Sequence, residues 1–240
     1  MEIEGKTALV TGGARRIGRA IALALAASGA RLIIHYNKSE AEAQEVRGRV
    51  LALGGQAIVL KADLAKQQQI ESLVCRAQDF GPVDILINNA SVYFKTPIEN
   101  HIAGWEVIMD VNLRAPYLLS TLLGLDMKKR GGGKIVNLAD WAANRPYADL
   151  IPYCISKAGL VAMTKGLARA LGPQVQVNSI SPGAVLFESE LAEKAQLAQK
   201  RTLVDRLGTP ADIADAVLYL LRADFVTGID LVVDGGRTIY

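Results

Sequence analysis

Short apolar runs alternate along this chain with longer stretches in which apolar residues recur every three to four positions. The runs are Thr7 to Val10, Arg31 to Tyr36, Ala57 to Lys61, Val83 to Asn88, Lys134 to Leu138, Val175 to Ser179 and Asp230 to Val233. Segments such as Ile17 to Ala27 and Ile213 to Leu221 carry the helical period. A continuous apolar run fits a strand buried on both faces, and strands separated by amphipathic helices build right-handed βαβ units. The pattern therefore predicts an α/β protein with a parallel sheet covered by helices on both faces.

Composition narrows this picture without changing it. The 240 residues are 50% hydrophobic, with charges of both signs well mixed, which allows a sizeable core and argues against disorder. No composition shift, repeat or linker divides the chain, so residues 1–240 are read as one domain. The net charge of +3 is slight and the basic residues are scattered, which argues against nucleic acid or an anionic membrane as partner. The first strand opens within a few residues of Met1 and no apolar run is long enough for a bilayer, so a cytoplasmic location without signal peptide or membrane span is expected. Cys75 and Cys154 have no disulfide or metal spacing, no metal site is expected, and both are read as small buried hydrophobes.

Candidate chemistry begins at the first turn. Thr11-Gly12-Gly13-Ala14-Arg15-Arg16-Ile17-Gly18 follows a strand and opens a helix, the context in which glycines let the backbone approach a pyrophosphate at a helix N-terminus. A carboxylate about twenty residues further on would hold the ribose hydroxyls of NAD. Here the second strand ends His35-Tyr36-Asn37-Lys38-Ser39, with no acid. Arg16, Lys38 and Ser39 offer charged and hydroxyl donors to a 2′-phosphate, which favours NADPH, although a solvated turn and a helix cap at Ser39 would read the same way.

From Lys134 to Leu171 a strand runs into a long helix starting at about Tyr153. Tyr153 and Lys157 are four residues apart and share one helix face. An ammonium so close is expected to draw the phenol below its usual pKa of about 10. Alone, this spacing is an ordinary helix surface. Asp140 falls at the carboxyl end of the strand, where open α/β sheets place their chemistry.

In order and spacing, the Gly-rich turn, Ala62-Asp63-Leu64, Asn88-Asn89-Ala90, Asn112, Tyr153 with Lys157, Pro182-Gly183 and Val233-Asp234-Gly235-Gly236 resemble the short-chain dehydrogenase/reductase family over nearly the whole chain. The resemblance implies a Rossmann-like, doubly wound, seven-stranded parallel sheet. It implies Asp63 and Leu64 beside the adenine, Asn88, Asn89 and Ala90 along the cofactor with Pro182 and Gly183, Lys157 on the nicotinamide ribose, and Asn112 holding a water for proton relay. Three positions depart from the common family pattern. Arg16 replaces a glycine, Ser91 replaces the glycine after Asn-Asn-Ala, and Asp140 replaces a serine thirteen positions before the tyrosine.

All three departures are similar to the pteridine reductase branch, as are His35-Tyr36 through Ser39, Tyr93 and Thr96-Pro97. This implies that Arg16 reaches the cofactor phosphates and the pterin, that Ser91 lines the same floor, and that Tyr93 stacks on the pterin. Tyr93 is equally explained by core packing. Asp140 has an independent argument: a carboxylate would repel the oxyanion of a ketone reduction, whereas a carboxyl group raised by burial can deliver the proton a ring nitrogen needs. The competing explanation is an Asp that caps the segment after it.

The sequence thus leads to NADPH-dependent reduction of a pteridine, dihydropterin to tetrahydropterin, with Asp140, Tyr153, Lys157 and Asn112 as catalytic residues and Arg16, Ser91, Tyr93, Asp140 and Tyr153 at the pterin. The alternative is a carbonyl reductase acting on 3-oxoacyl thioesters, and a third reading is a non-catalytic NADP-binding sensor. By resemblance, Ala184 to Gly208 is a substrate lid. A homotetramer is expected, with the helices after Pro116 and Tyr153 across one two-fold and the strand near Val232 at another. His101 is read as opening the helix of Trp105, without chemistry, while Trp141 and Arg145 are candidates for the pocket rim.

Overall fold

The structure, a computed structural model, describes residues 1–99, 102, 104–185, 199 and 201–239, together with the backbone of residue 100. Seven strands form one parallel sheet in the order β3-β2-β1-β4-β5-β6-β7. They are β1 Thr7–Val10, β2 Arg31–Tyr36, β3 Ala57–Lys61, β4 Ile85–Asn88, β5 Gly133–Leu138, β6 Val175–Pro182 and β7 Asp230–Val233. Among the described residues the α-helices are α1 Arg16–Ala27, α2 Glu40–Ala52, α3 Gln67–Phe80, α4 Trp105–Met109, α5 Ala115–Lys129, α6 Ile151–Leu171 and α7 Pro210–Arg222.

Alternate residues along each buried strand face opposite helix layers, which is why the strands read as unbroken apolar runs. Val10, Ile34, Ile85, Ile87 and Val136 pack with α1, α2 and α7, while Leu9, Ile33, Leu86, Ile135 and Val177 pack with α3, α5 and α6. The strand order reverses between β1 and β4, and the carboxyl ends of those strands flank the crevice where doubly wound sheets bind ligands.

Several expectations need correction. β4 begins at Ile85 rather than Val83, and α6 begins at Ile151, with Pro152 in the first turn where its missing N–H costs no helical bond. β6 runs three residues beyond Ser179, because Ser179 and Ser181 both donate to the Asp230 carboxylate on β7 and are satisfied inside the sheet. Cys75 is exposed on α3, so only Cys154 is buried. His101 and most of the expected lid lie outside the described residues. Of that segment's flanks, Val185 bridges to Gly208, and Thr209 with Asp212 forms a capping box at α7. Among the described residues no helix is long and apolar enough to cross a membrane.

Candidate functional site

A cleft of about 890 Å³ opens over the carboxyl ends of β1, β2, β4, β5 and β6. Its first wall is the turn between β1 and α1. The Thr11 hydroxyl donates to Ile87 O and accepts from the N–H groups of Asn89 and Ala90, tying the turn to β4. Asn89 donates to the carbonyls of Thr11 and Gly12. Gly12 takes φ +61°, and a Cβ at Gly18 would stand 2.2 Å from Gly12 O and 2.5 Å from Asn89 Nδ2, so both positions require glycine. Arg16 sits in the left-handed region at φ 52°. An L-residue pays roughly 1–2 kcal/mol there, which glycine would avoid, so the retained arginine points to a use for its side chain in the cleft it lines.

His35 holds this turn from below. Its Nδ1 accepts from Gly12 N–H at 3.1 Å, so Nε2 carries the proton toward Ala62 O at 3.1 Å. Burial pushes its pKa down to about 4, which keeps the ring neutral and the tautomer fixed. Beyond it, Tyr36, Asn37, Lys38 and Ser39 edge the cleft, as do Asp63 and Leu64. Ser39 is the N-cap of α2 yet makes no side-chain capping bond, and the Asp63 carboxylate accepts from Ala65 N–H. Ile17, Asn89, Ala90, Ser91, Pro182 and Gly183 line the cleft as well.

Two expected cofactor residues are placed differently. Thr11 is buried and acts on the turn rather than lining the cleft. Asn88 is also buried and faces α5, and its Nδ2 donates to Ser120 Oγ on that helix and to Asn137 Oδ1 on β5. The alternation of strand side chains sends Asn88 to the face opposite its neighbour.

At the far end Asp140 and Tyr153 meet. The Tyr153 hydroxyl donates to Asp140 Oδ2 at 2.7 Å, while Oδ1 accepts Ala142 N–H at 2.8 Å. The carboxylate is therefore both a cap for the short helix Trp141–Ala143, as the competing explanation expects, and a hydrogen-bond partner of the tyrosine. Burial raises the Asp140 pKa, opposed by the Tyr153 hydrogen bond, the Ala142 N–H and the charges of Lys157 and Arg237. Tyr153 is pushed well above its usual value by burial and then by Asp140. This overturns the expected depression by Lys157. The Lys157 ammonium donates to Leu138 O at 2.8 Å and lies 5.6 Å from the tyrosine ring centroid, so the phenol hydrogen bonds to a carboxylate instead. Burial lowers Lys157 to about 8, with Asp140 pulling back.

Tyr93, 61% exposed, stands edge-on to Tyr153 with ring centroids 5.0 Å apart, so it is not a core residue. Asn112 lies in a π-helical turn, Asp110–Arg114, a feature common at functional sites. Its side chain accepts from Val92 N–H and donates to Val92 O and Ser156 Oγ, fixing the backbone just past Ser91. Trp141 lines the cleft, together with Tyr147, which no sequence signal singled out. Arg145 reaches the Arg237 carbonyl at 3.5 Å.

A glycine-rich anion cradle beside a buried Asp-Tyr-Lys cluster defines a nucleotide-dependent oxidoreductase of the doubly wound class. Residues 12–238 match the family model described as Enoyl-(Acyl carrier protein) reductase. An uncharacterized oxidoreductase of Thermotoga maritima is 37% identical, over 99% of this chain and 97% of that protein. A 3-oxoacyl-[acyl-carrier-protein] reductase of Synechocystis is 30% identical, over 99% of both. A blue fluorescent protein from a metagenomic library, solved in complex with NADPH, superposes with a TM-score of 0.91 at 33% identity, over 99% of both chains. The chain belongs to the short-chain dehydrogenase/reductase family.

Proposed function

We propose that this oxidoreductase uses NADPH to reduce a pteridine, taking a dihydropterin to the tetrahydro form. The observation that carries the reading is the 2.7 Å bond between Tyr153 and Asp140, two acids that burial holds toward their protonated forms. Groups so poised release protons rather than accept them, which suits a reduction in which a ring nitrogen must be protonated.

The chain's residues fit the cofactor. The N-terminus of α1 and the strained Arg16 suit its phosphates, and the absence of an acid from His35 to Ser39 suits a 2′-phosphate. When bound, NADPH supplies hydride to a carbon of the pterin ring. Tyr153 holds its proton beside that ring, Asp140 replenishes it, and Lys157 is assigned to the nicotinamide ribose. Tyr93 offers an aromatic wall at the cleft, with Arg16 and Ser91 on the floor. Asn112 anchors Val92 and the relay to water.

The same reading places the protein in the cytoplasm as a homotetramer. Tyr117 and Leu125 on α5, Ile155 on α6 and Val232 on β7 are exposed, more apolar surface than a lone subunit's helices and edge strand need to show. The second functional reading is reduction of a 3-oxoacyl thioester, favoured by the Synechocystis relative. There Asp140, its pKa raised by burial, would in its protonated form donate to the developing oxyanion instead of repelling it.

A panel of dihydropterins and 3-oxoacyl thioesters, with NADPH consumption as readout, separates the two readings. The pteridine proposal expects kcat/KM for a dihydropterin to exceed that for every thioester. The reverse order would replace it with the carbonyl reductase.

A further inference from the structure

Arg237 follows the Val233-Asp234-Gly235-Gly236 turn, and nothing in the sequence marks it. The Asp234 carboxylate winds this turn by accepting from the N–H groups of Gly236 and Thr238. Gly235 and Gly236 take left-handed conformations that a side chain would resist. The result is that the Arg237 guanidinium is laid on the ring of Trp141, 4.6 Å from its centroid. Trp141 is the residue after Asp140, and its ring also packs edge-to-face with Tyr147, centroids 5.2 Å apart.

This cation is sealed. Arg237 is 9% exposed, and among the described residues its Nε and Nη1 are buried without a hydrogen-bond partner. Burying a charge with two unbonded donors is costly, and the indole face offsets that cost only in part. With Nε and Nη1 closed off from a substrate, the reach of this cation into the site is through its field. An arginine is the one side chain that keeps its charge under such burial.

We propose that Arg237 is a positioning residue of the proton-delivery pair, a permanent positive charge that acts on the Asp140 carboxyl across Trp141. This inference rests on the reading of Asp140 as a proton donor. The other groups whose charge or hydrogen bonds bear on Asp140 are Tyr153 and Lys157 on α6 and the N–H of Ala142, while Tyr93 after β4, Tyr147 before α6 and Cys154 on α6 feel its charge in turn. Among these, Lys157 and Arg237 are the cations, and Lys157 loses its charge near pH 8. Above that pH Arg237 is the remaining cation that, with the Tyr153 and Ala142 hydrogen bonds, opposes the effect of burial on the carboxyl, so its charge helps set the pH at which Asp140 loses its proton.

The test compares the pH dependence of dihydropterin turnover with NADPH in the parent, Arg237→Met, Arg237→Lys and Asp140→Asn, alongside a carbon NMR titration of the Asp140 carboxyl. A cation favours the ionised carboxylate, so its removal lifts the pKa. The alkaline limb that Asp140 contributes should move up by about one pH unit in Arg237→Met, with the NMR midpoint moving alike, and should return in Arg237→Lys. A purely structural role would lower turnover in both Arg237 variants without moving either midpoint, and that result would overturn the proposal. Were Asp140→Asn to leave the parent profile unchanged while the NMR midpoint still moved, Arg237's field would stand and the donor role of Asp140 would fall. If Arg237→Met does not fold, Arg237→Gln, also neutral, carries the same comparison.

Discussion

The two ends of the cleft are built on opposite principles. At the cofactor end, neutral groups lock one another: Thr11 ties the turn to β4, Asn89 holds its carbonyls, and His35 is kept uncharged beneath it. At the other end, Tyr153, Lys157 and Arg237 are ionisable and buried, Asp140 is half-buried, and all three bear on its carboxyl. Neutral hydrogen bonds fix geometry whatever the pH, whereas buried charges make function depend on it. The first region is a rigid seat, and the second is a cluster whose protonation answers to its surroundings.

Breaking the seat should cost most. Gly18→Ala places a methyl 2.2 Å from Gly12 O, and backbone rather than a flexible side chain must yield. Overpacking of this kind costs about 1–3 kcal/mol or more, and thermal unfolding should show it together with loss of saturable NADPH binding. Normal binding by this variant would mean that the turn is softer than described.

Tyr153→Phe removes the donor and leaves the seat untouched. Turnover should fall by about 10²- to 10⁴-fold while NADPH fluorescence titration gives a nearly unchanged Kd. Equal losses in both would place Tyr153 in cofactor binding rather than proton transfer.

His35 tests the seat through acid. Its folded pKa of about 4 lies below the unfolded value of 6.5, so the unfolded chain binds the proton first as pH falls. The stability tied to the neutral ring is complete above pH 6.5 and is lost toward pH 4, a swing of about 3 kcal/mol. In chemical denaturation from pH 7 to 4, a His35→Asn variant should lack this portion of the decline. A parallel decline in both proteins would refute the clamp.

The smallest effect is the most pointed. Asparagine tolerates the left-handed region better than arginine, so Arg16→Asn should leave melting unchanged or raise it by up to about 1 kcal/mol. NADPH affinity should nonetheless drop, since each charge-assisted bond to a phosphate is worth about 1.5–3 kcal/mol, and NADH affinity should drop less. A loss of stability with no loss of NADPH preference would remove Arg16 from the phosphate site.

The same contrast explains what the sequence made legible. The strands were readable because both faces of a parallel sheet are apolar, and the turn because glycine, strand and helix must follow one another locally. The end of β6 was hidden, since Ser179 and Ser181 look like loop until Asp230, some fifty residues on, accepts their hydrogen bonds. The effect of Lys157 on Tyr153 was misjudged because spacing along a helix gives proximity but not partners. The ammonium goes to Leu138 O, and the phenol goes to a residue thirteen positions back. Arg237 carries no local signal at all, because its meaning comes from Trp141, nearly a hundred residues earlier in the chain.

The central claim is that Asp140 delivers a proton, and the pH profile of dihydropterin reduction by Asp140→Ala tests it most directly. The account predicts near-parental NADPH binding, turnover lower by about 10²- to 10⁴-fold, and disappearance of the alkaline limb that the parent shows as the carboxyl ionises. Turnover equal to the parent's at every pH would contradict it and move the 3-oxoacyl thioester reductase ahead.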